Sequence, residues 1–281
     1  MSDGLLDYAR PGAFTCFGDA QVPLLAGLPD DPVALCAVAQ GLVIQPGDAI
    51  AAGVPEQRLA ERNIRPMRAV LDLLAARSPR PLTERRPPDE RVVGTCRHFA
   101  VLACALLRCR GVPARARCGF ATYFQPGLAL DHWVLEYRHP DEDRWVRVDV
   151  EMLGKPTVER PQDLVPGRFL TGGEAWAAYR DGVVDGATFG VYGTEHAWGP
   201  AEIRGNAVRD LAALRGVETL PWDEWGRMTA SYAGETGAHY DELIDRVAAV
   251  CAADDAAAIA RLYATADLAV PSSLLEEADR A

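Results

Sequence analysis

Three side chains in this sequence could together make and break an acyl bond: the thiol of Cys96, the imidazole of His132 and the carboxylate of Asp149. In such a set the thiolate attacks a carbonyl carbon to give a thioester. The imidazole takes or shares the thiol proton, and the carboxylate fixes the imidazole tautomer and steadies its positive charge. Cys96 stands in Gly94-Thr95-Cys96-Arg97-His98-Phe99-Ala100, immediately before a run in which Phe99, Leu102, Ala103, Leu106 and Leu107 recur at three- and four-residue steps. A thiol at the start of a helix meets unpaired backbone N–H groups and the positive end of the helix dipole, which favour the thiolate. The Cys96 N–H also offers one oxyanion contact, and the sequence identifies no second donor.

The elements that must position these groups follow from periodicity and punctuation. The apolar steps predict a buried helix over about 97–110, closed by Arg108 and Arg110 in its last turn, Gly111 at a left-handed cap and Pro113 beyond. Residues 114–123 alternate as a strand, with Ala114, Ala116, Cys118 and Phe120 on one face. Two more strands, 132–138 and 144–150, flank the turn material His139-Pro140-Asp141-Glu142-Asp143 and read as an antiparallel hairpin. An even-numbered loop centred on Pro140 and Asp141 sets His132 directly opposite Asp149 on a shared face; an odd loop sets Val148 or Val150 there instead. His98 is the rival base, but two residues along a helix it points away from Cys96 and reads as a structural or substrate contact. Asp131 is the rival acid, but strand neighbours face opposite ways, which leaves Asp149 the role.

The rest of the chain reads as support. Residues 1–90 form a mainly helical N-terminal part, with a helix from Asp31-Pro32 and a pattern over Glu56 to Arg77 that Pro66 kinks or breaks. A proline-rich connector spans 78–89, the core spans 91–155, and 156–281 is a helical extension of the same single domain. Its predicted helices cover 173–180, 206–215, 240–253 and 255–264. Trp222 and Trp225 read as a helix start with inward aromatics rather than a carbohydrate platform. The 281 residues carry a formal net charge of −11 and no sustained basic block, so no nucleic-acid partner is expected. The N-terminus lacks the basic start and apolar core of an export signal and no run is long enough for a membrane span, so a cytoplasmic protein without a membrane partner is expected. Seven scattered cysteines in such a chain predict free thiols. Neither zinc-knuckle spacing nor a histidine pair at helix ligand spacing occurs, so no metal or other cofactor is expected.

The segment Gly94 to Ala100, the helix end Gly111-Val112-Pro113-Ala114-Arg115, Asp131-His132-Trp133-Val134 and Arg144 to Asp149 together resemble the core of the transglutaminase-like superfamily over about residues 91–151. The flanks, including Ile203-Arg204-Gly205-Asn206, resemble a bacterial subgroup of it with no assigned substrate. The resemblance implies an α+β, papain-like core with the cysteine at a helix N-terminus packed on an antiparallel sheet. It also implies Cys96 as nucleophile, His132 as base and Asp149 as orienting acid, acting on an amide- or acyl-bearing small molecule or peptide. The acyl group would pass to water or to an amine. The alternative is a catalytically silent binding protein that keeps the fold as a recognition surface.

Overall fold

The computed structural model describes residues 7–276; residues 1–6, read above for an export signal, lie outside the described residues. Asp31 opens the first helix, α1 (Pro32–Leu42), by accepting the Ala34 N–H at 2.7 Å, with Pro32 in the first turn where its missing N–H costs nothing. Two short elements follow, β1 (Val43–Ile44) and α2 (Pro46–Ala51). The Glu56 to Arg77 pattern divides at Pro66, as its lack of an N–H requires: residues 56–63 form a 3-10 turn and α3 runs Met67–Arg77. The strand β2 (Val92–Val93) then pairs in parallel with β1.

From β2 the chain enters α4 (Cys96–Cys109), in which every residue from Cys96 to Arg108 is buried. A helix buried on all sides needs partners for its polar groups. Arg97 donates to the Glu218 carbonyl at 2.5 and 3.0 Å, and Arg108 reaches Glu218 Oε1 at 3.1 Å and Thr15 Oγ1 at 2.7 Å. The helix ends as its sequence requires, with Gly111 at φ +73°.

The main sheet has the order β5-β4-β3-β6, formed by β3 (Ala114–Ala121), β4 (Ala129–Arg138), β5 (Trp145–Val148) and β6 (Phe169–Thr171). The pair β7 (Phe189–Gly190) adds in parallel to the start of β4. Trp133, Leu135, Tyr137, Val146 and Val148 join the apolar residues of α1, α3 and α4 in one core cluster. A second cluster gathers Trp176, Ile203, Leu211 and Ile244 from the C-terminal helices α5 (Gly172–Arg180), α6 (Pro200–Leu214) and α8 (Ala238–Ala253). Between them lies α7 (Met228–Tyr232), and α9 (Ala256–Tyr263) and α10 (Ser272–Leu275) follow. The architecture is α+β, with the cysteine at the helix start, as the sequence predicts.

Three local readings change. The hairpin closes with an even loop, but two residues further along than expected: Arg138 pairs with Trp145 and Leu135 with Val148, where the ladder ends. His132 is therefore not directly opposite Asp149. The helix expected from Asn206 begins six residues earlier, at Pro200, whose type suits a first turn. Residues 220–226 form turns rather than a helix start. There Trp225 is buried, donating Nε1–H to the Leu268 carbonyl at 3.1 Å, whereas Trp222 is 44% exposed beneath Arg62.

Candidate active site

The parallel pair β1–β2 delivers Gly94-Thr95 to the mouth of α4. The Gly94 N–H donates to the Ile44 carbonyl at 2.9 Å, and Thr95 is the N-cap, so Cys96 occupies the first helical position. His98 secures this start. Its Nδ1 accepts the Thr95 N–H at 3.1 Å and its Nε2–H donates to the Ile64 carbonyl at 2.9 Å, which engages both ring nitrogens. Burial, with the Arg97 charge beside it, holds the His98 pKa down at about 3. A fully engaged, neutral imidazole is not a base for Cys96, in keeping with the structural reading of the sequence.

Cys96, His132 and Asp149 converge even though the register differs. The chain leaves the ladder after Val148, and the Asp149 N–H donates to the Pro161 carbonyl at 2.8 Å. Continued, the observed register would set Asp149 opposite Val134, so His132 is its diagonal neighbour, within reach of long side chains. The contact is direct: His132 Nε2 lies 2.9 Å from Asp149 Oδ2, with both groups buried. With Nε2–H given to the carboxylate, Nδ1 remains for the hydrogen bond that His132 shares with the Cys96 thiol. Asp149 Oδ1 accepts the Met152 N–H at 3.1 Å, and Oδ2 also accepts the Tyr123 hydroxyl. Phe124 sets its ring edge-on to His132, centroids 5.0 Å apart.

Charges in the site oppose one another. Burial works against an imidazolium at His132, but the charge and hydrogen bond of Asp149 outweigh it and hold its pKa well above the ordinary value. Burial likewise works against the Asp149 carboxylate, yet His132, Tyr123 and the Met152 N–H bring it below the usual range. At Cys96 burial wins: despite the imidazole, the thiol is pushed up, with the carboxylates of Asp131 and Glu151 adding to the rise. This corrects the expectation that the helix start favours thiolate at rest. Cys96 is 8% exposed, and desolvation is the largest contribution to the rise, ahead of the opposing pull of His132.

Asp131 is turned to another network, accepting Asn206 Nδ2 at 2.8 Å, and makes no contact with His132 that would orient it. Sequence reading missed Tyr123, Gln45 and Glu151. Gln45 Nε2 donates to Glu151 Oε2 at 2.7 Å, and Glu151, 7% exposed, follows Asp149 by two residues. Nothing in local spacing ties Gln45 to a site 51 residues on; only the β1–β2 pairing does. A cavity of about 1160 Å³ lies elsewhere, lined by Arg115, Arg117, Glu136, Arg147 and Trp176, and includes none of Cys96, His132 and Asp149. No group of three or more side chains suited to hold a metal ion occurs among the described residues. No helix among them is long and apolar enough to cross a membrane.

A thiol at a helix start, sharing a buried imidazole with a carboxylate beside an antiparallel sheet, is the arrangement of papain-like cysteine folds. Residues 71–150 match the model of the transglutaminase-like superfamily, and this stretch is a transglutaminase-like core. No curated protein and no solved structure matches the chain.

Proposed function

We propose that the protein is a cysteine-dependent acyl-transfer enzyme that opens an amide-type bond through a thioester on Cys96. The observation that carries this reading is the single line of contacts from the thiol through His132 to Asp149. His132 Nδ1 takes the proton as sulfur bonds to the carbonyl carbon and the carbonyl electron pair moves onto oxygen. Collapse of the adduct breaks the C–N bond, and His132 returns its proton to the leaving amine. Water or a second amine then attacks the thioester, giving its proton to His132, which restores the thiol as sulfur leaves. Cys96 N–H, at the first helical position with no intrahelical partner, points one donor at the developing oxyanion.

The test is mass spectrometry of Cys96 after exposure to cell extract, followed by turnover on the acyl donor so captured. An acyl mass on the Cys96 peptide is expected, and Cys96→Ala should lose at least about 10³ of the rate with its melting temperature retained. Undiminished turnover by Cys96→Ala would sink the proposal.

A further inference from the structure

An oxyanion formed on a carbonyl next to Cys96 needs more than one N–H donor, and the backbone of α4 offers the Cys96 N–H from one side. We infer that the side-chain amide of Gln45 is the second donor, held in place by Glu151. The inference rests on the acyl-transfer reading above.

Three observations support it. The register Val43↔Val92 and Ile44↔Val93, with the Gly94 N–H on the Ile44 carbonyl at 2.9 Å, carries Gln45 alongside Gly94-Thr95, the two residues before the nucleophile. Neighbouring strands stand about 4.8 Å apart, so Gln45 leaves β1 at the end where α4 begins. At that point Pro46 opens α2 and turns the backbone away, leaving Gln45 half-buried at its N-cap.

The second observation is the amide's orientation. Its Nε2 lies 2.7 Å from Glu151 Oε2, and a carboxylate can only accept, so the NH₂ end of Gln45 faces the Asp149–Glu151 turn. The third is stoichiometry. An NH₂ group carries two N–H bonds, and Glu151 takes one. The other is left for a group arriving between Gln45 and Cys96. Glu151, the residue that holds this amide, also bears electrostatically on both Cys96 and His132.

The role predicts a separation of two reactions at one thiol. In acylation by p-nitrophenyl acetate, sulfur bonds to the carbonyl carbon, negative charge gathers on oxygen, and p-nitrophenolate is expelled. In alkylation by iodoacetamide, sulfur displaces iodide and no oxyanion forms. Gln45→Ala, and Gln45→Met which keeps the bulk without the N–H groups, should slow acetylation of Cys96 by about 10²–10³. Both should alkylate Cys96 at close to the wild-type rate. Unchanged acetylation in both variants overturns the inference. So does an equal loss of acetylation and alkylation, because Gln45 would then only shape the cleft. A wild-type protein that alkylates at Cys96 but is never acetylated there overturns the acyl-transfer reading, and this inference with it.

Discussion

At the scale of single residues, the site's proton balance sets its working pH. Asp149 holds His132 above its ordinary pKa, so the imidazole keeps its proton to a higher pH than a free histidine, and while protonated it cannot take another from the thiol. Turnover needs the pair to lose that first proton, so the rate should rise with pH through the raised His132 value. The acid limb of kcat/KM therefore falls above the ordinary histidine value of about 6.5. Asp149→Asn removes the charge that raises it. The variant's acid limb should move to lower pH, and its rate should fall by about 10²–10⁴ because the tautomer is no longer fixed. A rate-pH series of both proteins on the captured acyl donor checks this, and a limb that stays put in Asp149→Asn would refute the assignment.

At the scale of elements, the start of α4 is where packing and chemistry meet. A Cβ at Gly94 would stand 2.7 Å from the Cβ and Cγ of His98 and 3.0 Å from Val43 Cγ1. Gly94→Ala must therefore displace the imidazole that holds Thr95 N–H and the Ile64 carbonyl, at a cost of about 1–3 kcal/mol. Since Cys96 is two residues further on, its alkylation rate should change as well. Gly111→Ala is the control: φ +73° with nothing within 4 Å costs about 1–2 kcal/mol through backbone strain alone, at the far end of the helix. Equal alkylation in Gly94→Ala and Gly111→Ala would show that the helix start does not tune the thiol.

The same helix marks what was legible in the sequence. Its apolar steps and its Arg108, Gly111 and Pro113 stop are local signals, so α4 could be read to within a residue at each end. The alternation of β4 and β5 gave the correct face parity. Their register lies two residues from the one that a Pro140-Asp141 centre implies, because the six residues between Arg138 and Trp145 close a wider loop. His132 and Asp149 still meet because a diagonal pair tolerates that shift. Gln45 and Tyr123 could not be read, since a two-residue parallel pair and a loop hydroxyl leave no periodic trace.

At the scale of the whole molecule, Glu136 ties the sheet to the C-terminal helices. Its carboxylate takes Arg115 at 2.8 Å, Arg117 at 2.9 Å and Arg147 at 2.9 Å. Those guanidiniums continue to Asp254 after α8, to Asp210 on α6 and to Glu174 on α5. Burial works against the Glu136 charge, but the three arginines outweigh it and hold its pKa far below the ordinary carboxylate range. With its folded value depressed, Glu136 contributes stability that is fully present above the unfolded value of about 4.3 and is lost as pH falls through the folded one. Glu136→Gln leaves Arg115 and Arg117 buried with less counter-charge, which should cost about 3–5 kcal/mol at neutral pH. Denaturant titrations of both proteins at neutral pH and below the unfolded carboxylate value should show the gap narrowing on acidification, because the wild type surrenders this contribution and the variant has none to lose. A gap that is constant with pH would mean that the three arginines stabilise the fold through packing of their stems rather than through the charge on Glu136.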